Sequence, residues 1–223
     1  NNHGYLKSDC KLVPQNVYVA VDLNKTEEAF WKSYNRNVRK NINKALREGV
    51  KVEVIRGGLG SQVSDFQAIY QETMERNDAD DFYWFSNDFF SNLCCALSDE
   101  MISVYARIGS EIVSCELVLC SSHIAYSYLG GTRAEFNASR PNTLIKHEII
   151  LDSQRSGRKW FLMGGGLTEN DGVFLYKKNF APQGLFNFHI GLRVHDEGAY
   201  QNVCTEWERR NPEKAGMYSK YLQ

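Results

Sequence analysis

The stretch that decides the fold is residues 102–130, which read ISVYARIGSEIVSCELVLCSSHIAYSYLG. It holds three runs rich in apolar and β-branched residues, at 102–108, 111–120 and 123–130, and each run predicts a strand. Gly109-Ser110 and Ser121-Ser122 separate the runs and are typical of tight turns between antiparallel strands. The stretch therefore predicts three consecutive antiparallel strands at the centre of a sheet.

The segments on either side alternate between strand and helix patterns. Before the central stretch we predict strands at 17–23 and 50–55, a helix from the N-cap Thr26 to Gly49, and helices at 64–76 and 86–97. After it we predict a helix at 141–156, a buried strand at 160–163, a short helical segment at 173–179, a strand at 185–194 and a polar helix from 199. This order predicts an α+β fold, a mixed sheet flanked by helices on both faces.

The composition excludes several classes of protein. The chain has 223 residues, of which 43% are hydrophobic, so it can bury a core and is not disordered. A formal net charge of −1 argues against a general nucleic-acid binder. The six cysteines show no zinc-ligand spacing, and we expect reduced thiols and no metal. No apolar run has the length of a membrane span, and we expect a cytoplasmic protein.

The predicted helix at 26–49 has a cationic face opposite its apolar stripe. The stripe consists of Phe30, Tyr34, Val38, Ile42 and Leu46. The face carries Arg36, Arg39, Lys40 and Lys44, and neighbouring like charges favour a bridging anion such as phosphate. A solvated basic face explains the same pattern equally well. If phosphate binds, Arg39→Ala should weaken ligand binding and leave the melting temperature nearly unchanged.

A second candidate site follows the buried strand at 160–163. Gly164, Gly165 and Gly166 would let the backbone approach a ligand, and Tyr176, Lys177 and Lys178 come shortly afterwards. A tight turn followed by solvated lysines is the alternative interpretation. Taken alone, the glycines favour neither one.

Together these motifs resemble the FemAB-like acyltransferases of the GNAT superfamily, a group that includes the peptidoglycan interpeptide-bridge aminoacyltransferases. The first motif is Arg-x-x-Arg-Lys-x-x-x-Lys-Ala-x-x-x-Gly-Val from Arg36, and the second is Gly-Gly-Gly, Asp-Gly and Tyr-Lys-x-x-Phe from Gly164. Residues 72–77, 83–90 and 141–148 also resemble family segments, so the resemblance covers 17–194. It implies a GNAT-like domain at 24–198, preceded at 1–23 by a connector or the remnant of a first GNAT-like half, and followed at 199–223 by a helical tail.

The resemblance also implies a function. It suggests an N-acyltransferase that moves an acyl or aminoacyl group from acyl-CoA or aminoacyl-tRNA to an amine of a cell-wall precursor, a sugar nucleotide or a similar small acceptor. No tightly bound cofactor is implied, and tRNA would be a partner only as the carrier of the donor group. The alternative is a non-catalytic GNAT-fold module that binds a phosphate-bearing ligand.

The resemblance assigns roles to a few residues. Arg39 matches a substrate phosphate contact, together with Arg36, Lys40 and Lys44 on the same face. Lys177 matches the lysine near the transfer centre, where a fixed positive charge would stabilise the oxyanion. The glycines and Tyr176 would bind substrate. The general base stays open among Asp171, Glu148, His147 and Tyr128.

Overall fold

The computed structural model describes residues 10–166, 168 and 170–212. Its strands are β1 (Lys11–Asp22), β2 (Lys51–Arg56), β3 (Met101–Ile108), β4 (Glu111–Cys120), β5 (Ile124–Thr132), β6 (Trp160–Gly164) and β7 (Leu185–Leu192). Its α-helices are α1 (Glu27–Ser33), α2 (Arg36–Arg47), α3 (Val63–Arg76), α4 (Asn87–Ala96), α5 (Pro141–Arg155), α6 (Gly172–Lys178) and α7 (Glu197–Arg210).

The chain divides into two compact units. The larger is Asn16–Asn187, and the smaller comprises the segments before and after it. Of the smaller unit, residues 10–15 and 188–212 are described, and they contain α7 with its N-cap Asp196. Residues 1–9 of the predicted connector and 213–223 of the predicted tail lie outside the described residues.

The sheet is mixed, with the strand order β2-β3-β4-β5-β6-β1-β7. The three strands of the central stretch form an antiparallel meander, and β2 extends it on the β3 side. β5 and β6 are parallel, whereas β1 is antiparallel to β6. The predicted fold class is confirmed.

Alternation along β3 shows how the sheet is covered on both faces. Met101 and Tyr105 pack with α3 and α4 in one core, whereas Ile102, Val104 and Ala106 pack with α1, α2 and α5 in another. Both sets are fully or almost fully buried. Because successive side chains of a strand point to opposite faces, a strand with buried apolar residues at both odd and even positions contributes to two cores.

The predicted helix at 26–49 is broken in the structure. Tyr34 has an extended backbone, and the side chain of Asn35 caps the N-terminus of α2 by accepting from the backbone N–H of Asn37. The backbone N–H of Asn35 donates to the Asn179 carbonyl oxygen at 2.8 Å, which fixes the break. Asparagine is favoured at an N-cap, and here that preference outweighs a continuous helical pattern. Leu46, predicted on the buried stripe, is 55% exposed.

The parallel contact between β5 and β6 is short. Its register runs only from Ile124 opposite Trp160 to Tyr126 opposite Leu162. Beyond these pairs β5 continues to Thr132 without β6 beside it. The sheet is therefore open along the second half of β5.

Candidate active site

A pocket of about 370 Å³ lies along the half of β5 that pairs with β4 but has no partner on its β6 side. Its size suits a small molecule or the reacting end of a larger one. It is lined from α3 by Thr73, Arg76 and Asn77, from β4 by Ser114, Cys115 and Glu116, from β5 by residues 127–132, from the following segment by Asn137, from α5 by Asn142, Ile145 and Lys146, and from α6 by Tyr176 and Lys177. Because β5 and β6 part here, helices from both faces of the sheet reach one space.

Lys177 is the predicted catalytic residue, and the structure places it in this pocket. The Asp171 carboxylate caps α6 by accepting from the Phe174 backbone N–H at 2.7 Å, and buried Phe174 anchors the helix. The Lys177 ammonium donates to the Gly165 carbonyl oxygen at 2.6 Å. Its backbone is thus held by the core while its charge lies at the pocket.

Burial lowers the pKa of Lys177 to about 8, and the Lys146 charge acts in the same direction. Glu116 and Asp171 act against these two effects. Desolvation disfavours the ammonium form, and a nearby like charge disfavours it further. Lys177 is therefore a cation that can lose its proton within the range of ordinary assay conditions.

Tyr176 also lines the pocket. Its ring packs edge-on against Phe180, with centroids 5.5 Å apart. Its hydroxyl is buried beside Thr143 and Glu116; Thr143 is near enough to lower its pKa, but no described residue makes a hydrogen bond of ordinary geometry to it. Burial raises the pKa of this hydroxyl, and Glu116 adds to the effect. A buried unsatisfied hydroxyl is costly, so Tyr176 is available to donate to a ligand.

A buried ion pair completes the pocket, and the sequence reasoning missed it. The Lys146 ammonium donates to Glu116 Oε1 at 2.5 Å and to the Ser127 hydroxyl oxygen at 2.7 Å. The side chains of Glu116 and Lys146 are 8% and 10% exposed. The available signal was a single carboxylate inside the apolar run of β4, since a buried charge needs a partner.

The three glycines predicted to bind substrate make contacts within the chain. Gly164 has a φ of 77°, and the Gly165 carbonyl oxygen accepts from Lys177. The Gly166 carbonyl oxygen accepts from the Asn16 amide at 2.8 Å. None of the three lines the pocket. In the structure, the Gly165 and Gly166 carbonyl oxygens hold the Lys177 ammonium and the Asn16 side chain of β1 close to the turn.

The predicted cationic face lies on α2, and none of its residues lines the pocket. Arg36 and Lys40 are exposed. Lys44 pairs with Glu48 at 3.5 Å. The half-buried Arg39 guanidinium donates to the Trp31 carbonyl oxygen at 3.2 Å and to the Tyr34 carbonyl oxygen. Arg39 therefore satisfies the carbonyl groups at the end of α1.

The four candidates for the general base are dispersed. Tyr128 lines the pocket, and burial raises its pKa. Asp171 caps α6. His147 lies 3.1 Å from the Tyr34 hydroxyl in a buried contact, and half-buried Glu148 is its neighbour on α5. Burial lowers the pKa of His147 and raises that of Glu148, because desolvation disfavours the charged form of each side chain.

The described part of the chain lacks two further features. It contains no group of three or more His, Cys, Asp or Glu side chains arranged to hold a metal ion. No described helix combines the length and the apolar character that crossing a bilayer requires.

Comparison with protein families gives one match. The model of a family described as the acetyltransferase (GNAT) domain matches residues 32–178. These residues include α2, the whole pocket and α6. No curated protein matches the chain.

Solved structures share the fold at low sequence identity. FemX superposes with a TM-score of 0.71 at 13% identity, over 86% of this chain and 64% of the FemX chain. L-PGS from Bacillus licheniformis superposes with a TM-score of 0.60 at 12% identity, over 91% of this chain and 66% of the L-PGS chain. The chain thus spans less than two thirds of the length of either structure.

Proposed function

Because the chain belongs to the acetyltransferase (GNAT) domain family, whose members transfer acyl groups, we propose that it is an N-acyltransferase acting on a small amine. The donor is acyl-CoA or aminoacyl-tRNA, and the acceptors to be considered include cell-wall precursors and sugar nucleotides. Both donors are cytoplasmic, so the proposal places the reaction there.

The observation that carries this proposal is the ammonium of Lys177 inside a polar pocket of about 370 Å³. When an amine attacks an acyl carbonyl, the N–C bond forms and negative charge develops on the carbonyl oxygen. A cation held in advance near that oxygen stabilises the transition state more than the ground state. Lys177 is held in this way by α6 and by the Gly165 carbonyl oxygen.

The reaction must also move one proton. The carbonyl reforms as the bond from carbon to the thiol sulfur or to the ribose oxygen breaks, and the leaving atom takes up a proton. The attacking nitrogen loses one proton to water, which balances the proton that the leaving atom takes up. The buried hydroxyl of Tyr176, which lacks a partner in the described structure, is suited to donate to the leaving atom.

The pocket holds the reacting ends of the substrates and not their carriers. Coenzyme A and tRNA are far larger than a space of about 370 Å³, so their phosphates would lie outside it. The exposed Arg36 and Lys40 on α2 are cations that such phosphates, or those of a nucleotide-linked acceptor, could contact.

The test is a donor and acceptor screen with the purified chain. Each acyl-CoA or aminoacyl-tRNA is combined with a panel of amines, and mass spectrometry detects the amide product. Formation of an amide that requires the chain supports the proposal. Binding of a phosphate-bearing ligand without any product across the screen would favour the non-catalytic alternative.

A further inference from the structure

Glu116 occupies an unusual position for a carboxylate. It lies in β4 among residues that are almost all buried, with Val104 of β3 and Gly130 of β5 as its neighbours across the sheet. A charged group in the interior is costly unless it is paired and hydrogen-bonded. A carboxylate at the wall of the pocket is therefore most stable when both of its oxygens have partners.

The structure supplies a partner for one oxygen only. Oε1 accepts from Lys146, whose ammonium is also held by the Ser127 hydroxyl. Oε2 has no hydrogen bond to any residue that the structure describes, and Glu116 lines the pocket. An ionised carboxylate accepts hydrogen bonds and cannot donate them, so a ligand that satisfies Oε2 must present an N–H or O–H group.

Glycine keeps the space beside Glu116 free. A Cβ atom on Gly130 would lie 2.7 Å from the Cys115 carbonyl oxygen and 3.2 Å from Glu116 Cα. Contacts this short exclude a side chain at Gly130, so no side chain of that residue stands between β5 and the carboxylate. The lack of a side chain at Gly130 thus allows β4 and β5 to approach closely and also leaves Glu116 accessible from the pocket.

The charges of the pocket leave Glu116 as the place where an amino group can bind. Among the described residues that line it, Arg76, Lys146 and Lys177 are basic and Glu116 is the one carboxylate. An amino group in this pocket, which is protonated in most amines at neutral pH, would meet repulsion everywhere except at Glu116. A hydroxyl group would gain much less from the same contact, because a hydrogen bond between two charged groups is the stronger one.

We propose that Glu116 binds the acceptor's amino group through Oε2 and thereby selects amines over alcohols. This inference rests on the proposed N-acyl transfer and adds the residue that recognises the nucleophile. Lys146 and Ser127 act as positioning residues, because they hold the carboxylate from the other side. The bound ammonium must release one proton to water before its nitrogen can attack, and Oε2 can still accept an N–H hydrogen bond from the neutral amine in the pocket that it shares with Lys177.

The first test measures binding without any donor. By ligand-observed NMR, n-butylamine is compared with n-butanol, and glucosamine with glucose. The parent protein should bind the amine of each pair more tightly, and Glu116→Gln should lose about tenfold or more of that preference. Glu111→Gln is the matched control, since Glu111 lies on the same strand, is 50% exposed and does not line the pocket.

Glu116→Gln leaves Lys146 buried without its anion, so the variant can be unstable. The double variant Glu116→Gln/Lys146→Gln removes both charges and leaves two amides that can still bond to each other. It should also lose the preference for amines. An unchanged preference in a folded variant, or no preference in the parent protein, overturns the role of Glu116.

The second test uses turnover with the amine found in the screen. Glu116→Gln should raise the acceptor KM by about tenfold or more and leave the donor KM nearly unchanged. An equal rise in both KM values would contradict amine recognition. The two proposals can be distinguished by these tests. A preference for amines without any amide product would contradict the proposed N-acyltransferase activity but not the role of Glu116 in binding amines.

Discussion

At the scale of single residues, Lys177 carries the chemistry of the proposal. The neighbouring Lys178 provides a comparison within the same helix turn. The Lys178 ammonium lies 5.9 Å from the centroid of the Phe174 ring, and this residue does not line the pocket. The two lysines are adjacent in sequence, but only the Lys177 side chain lines the pocket.

We predict that Lys177→Met lowers kcat about a hundredfold or more, with little change in the acceptor KM. The lost interaction forms mainly in the transition state, when charge is on the carbonyl oxygen. Lys178→Met should have little effect on either constant. Steady-state kinetics on both variants would check this, and a rise in KM alone for Lys177→Met would make it a binding residue.

The charge of Lys177 also predicts a dependence on pH. Its pKa is lowered to about 8, so the ammonium is present below that pH and is lost as the pH rises through it. If the cation stabilises the oxyanion, its contribution to kcat declines above pH 8. Lys177→Arg stays charged throughout.

The quantity to measure is the ratio of parent kcat to Lys177→Arg kcat from pH 6 to 10. Ionisation of the acceptor is common to both enzymes and cancels in the ratio. The ratio should fall as the pH rises through about 8. A ratio that rises instead would show that Lys177 acts in its neutral form, as a base.

At the scale of elements, the break between α1 and α2 changes the meaning of the cationic face. From the sequence, Arg39 was expected to tolerate alanine without loss of stability. In the structure its guanidinium satisfies carbonyl groups of Trp31 and Tyr34 at the end of α1. A residue that caps one helix from the next contributes to stability whether or not it also contacts a phosphate.

We therefore predict that Arg39→Ala destabilises the fold by about 1–3 kcal/mol, because partly buried carbonyl groups lose a charged donor. Lys40→Ala is the control, since Lys40 is exposed on the same helix. Urea denaturation of both variants would measure the difference. Equal stability would mean that water replaces the Arg39 contacts without cost.

The contact between α3 and β5 depends on a second glycine. A Cβ atom at Gly131 would lie 2.5 Å from the Thr73 hydroxyl oxygen and 2.7 Å from the Ile69 carbonyl oxygen. The Thr73 hydroxyl also accepts from the Thr132 backbone N–H at 3.1 Å, which ties the helix to the strand. Both Thr73 and Gly131 line the pocket, so this packing shapes the site.

We predict that Gly131→Ala destabilises the fold by about 1–3 kcal/mol, because the added methyl group forces the helix and strand apart. Gly172→Ala should be neutral by comparison, since a Cβ atom there meets nothing within 4 Å. Thermal melts of the two variants make the comparison. A melting temperature for Gly131→Ala equal to that of the parent would show that α3 can shift at no cost.

At the scale of the whole molecule, two cores on opposite faces of one sheet determine which groups solvent can reach. All six cysteines are free. Cys115, Cys120 and Cys204 are buried, Cys10 and Cys94 are half-buried, and Cys95 is exposed. Burial raises the pKa of both Cys115 and Cys120, which disfavours the reactive thiolate.

The expected result of thiol titration with a disulfide reagent follows from this distribution. Denatured protein prepared without reductant should react at all six cysteines. The folded protein should react fastest at Cys95, and Cys95→Ser should remove that fast phase. Fewer than six reactive thiols in denaturant would reveal a disulfide and contradict the expectation of a reducing compartment.

The fold class was accessible from sequence because its signals are local. Alternation and turn residues in 102–130 predicted the antiparallel meander, and the structure confirms it. The order of strand and helix patterns predicted helices on both faces of the sheet, and residues of β3 pack into a core on each face. The resemblance to FemAB-like acyltransferases singled out Lys177, and the structure places it in a pocket. The strand and turn predictions each needed only the residues of one segment, whereas the assignment of Lys177 depended on motifs spread over 17–194.

Other features depend on residues far apart in the chain, and only the tertiary structure decided them. Glu116 and Lys146 are separated by 30 positions, yet they meet at 2.5 Å because β4 and α5 pack together. Periodicity predicts which face of an element is buried, but it does not predict which partner a buried charge will find. The pocket exists because β5 and β6 part, and the partner of Arg39 exists because Asn35 ends one helix and begins another. Both are properties of packing, where many weak local preferences compete and the best joint solution prevails.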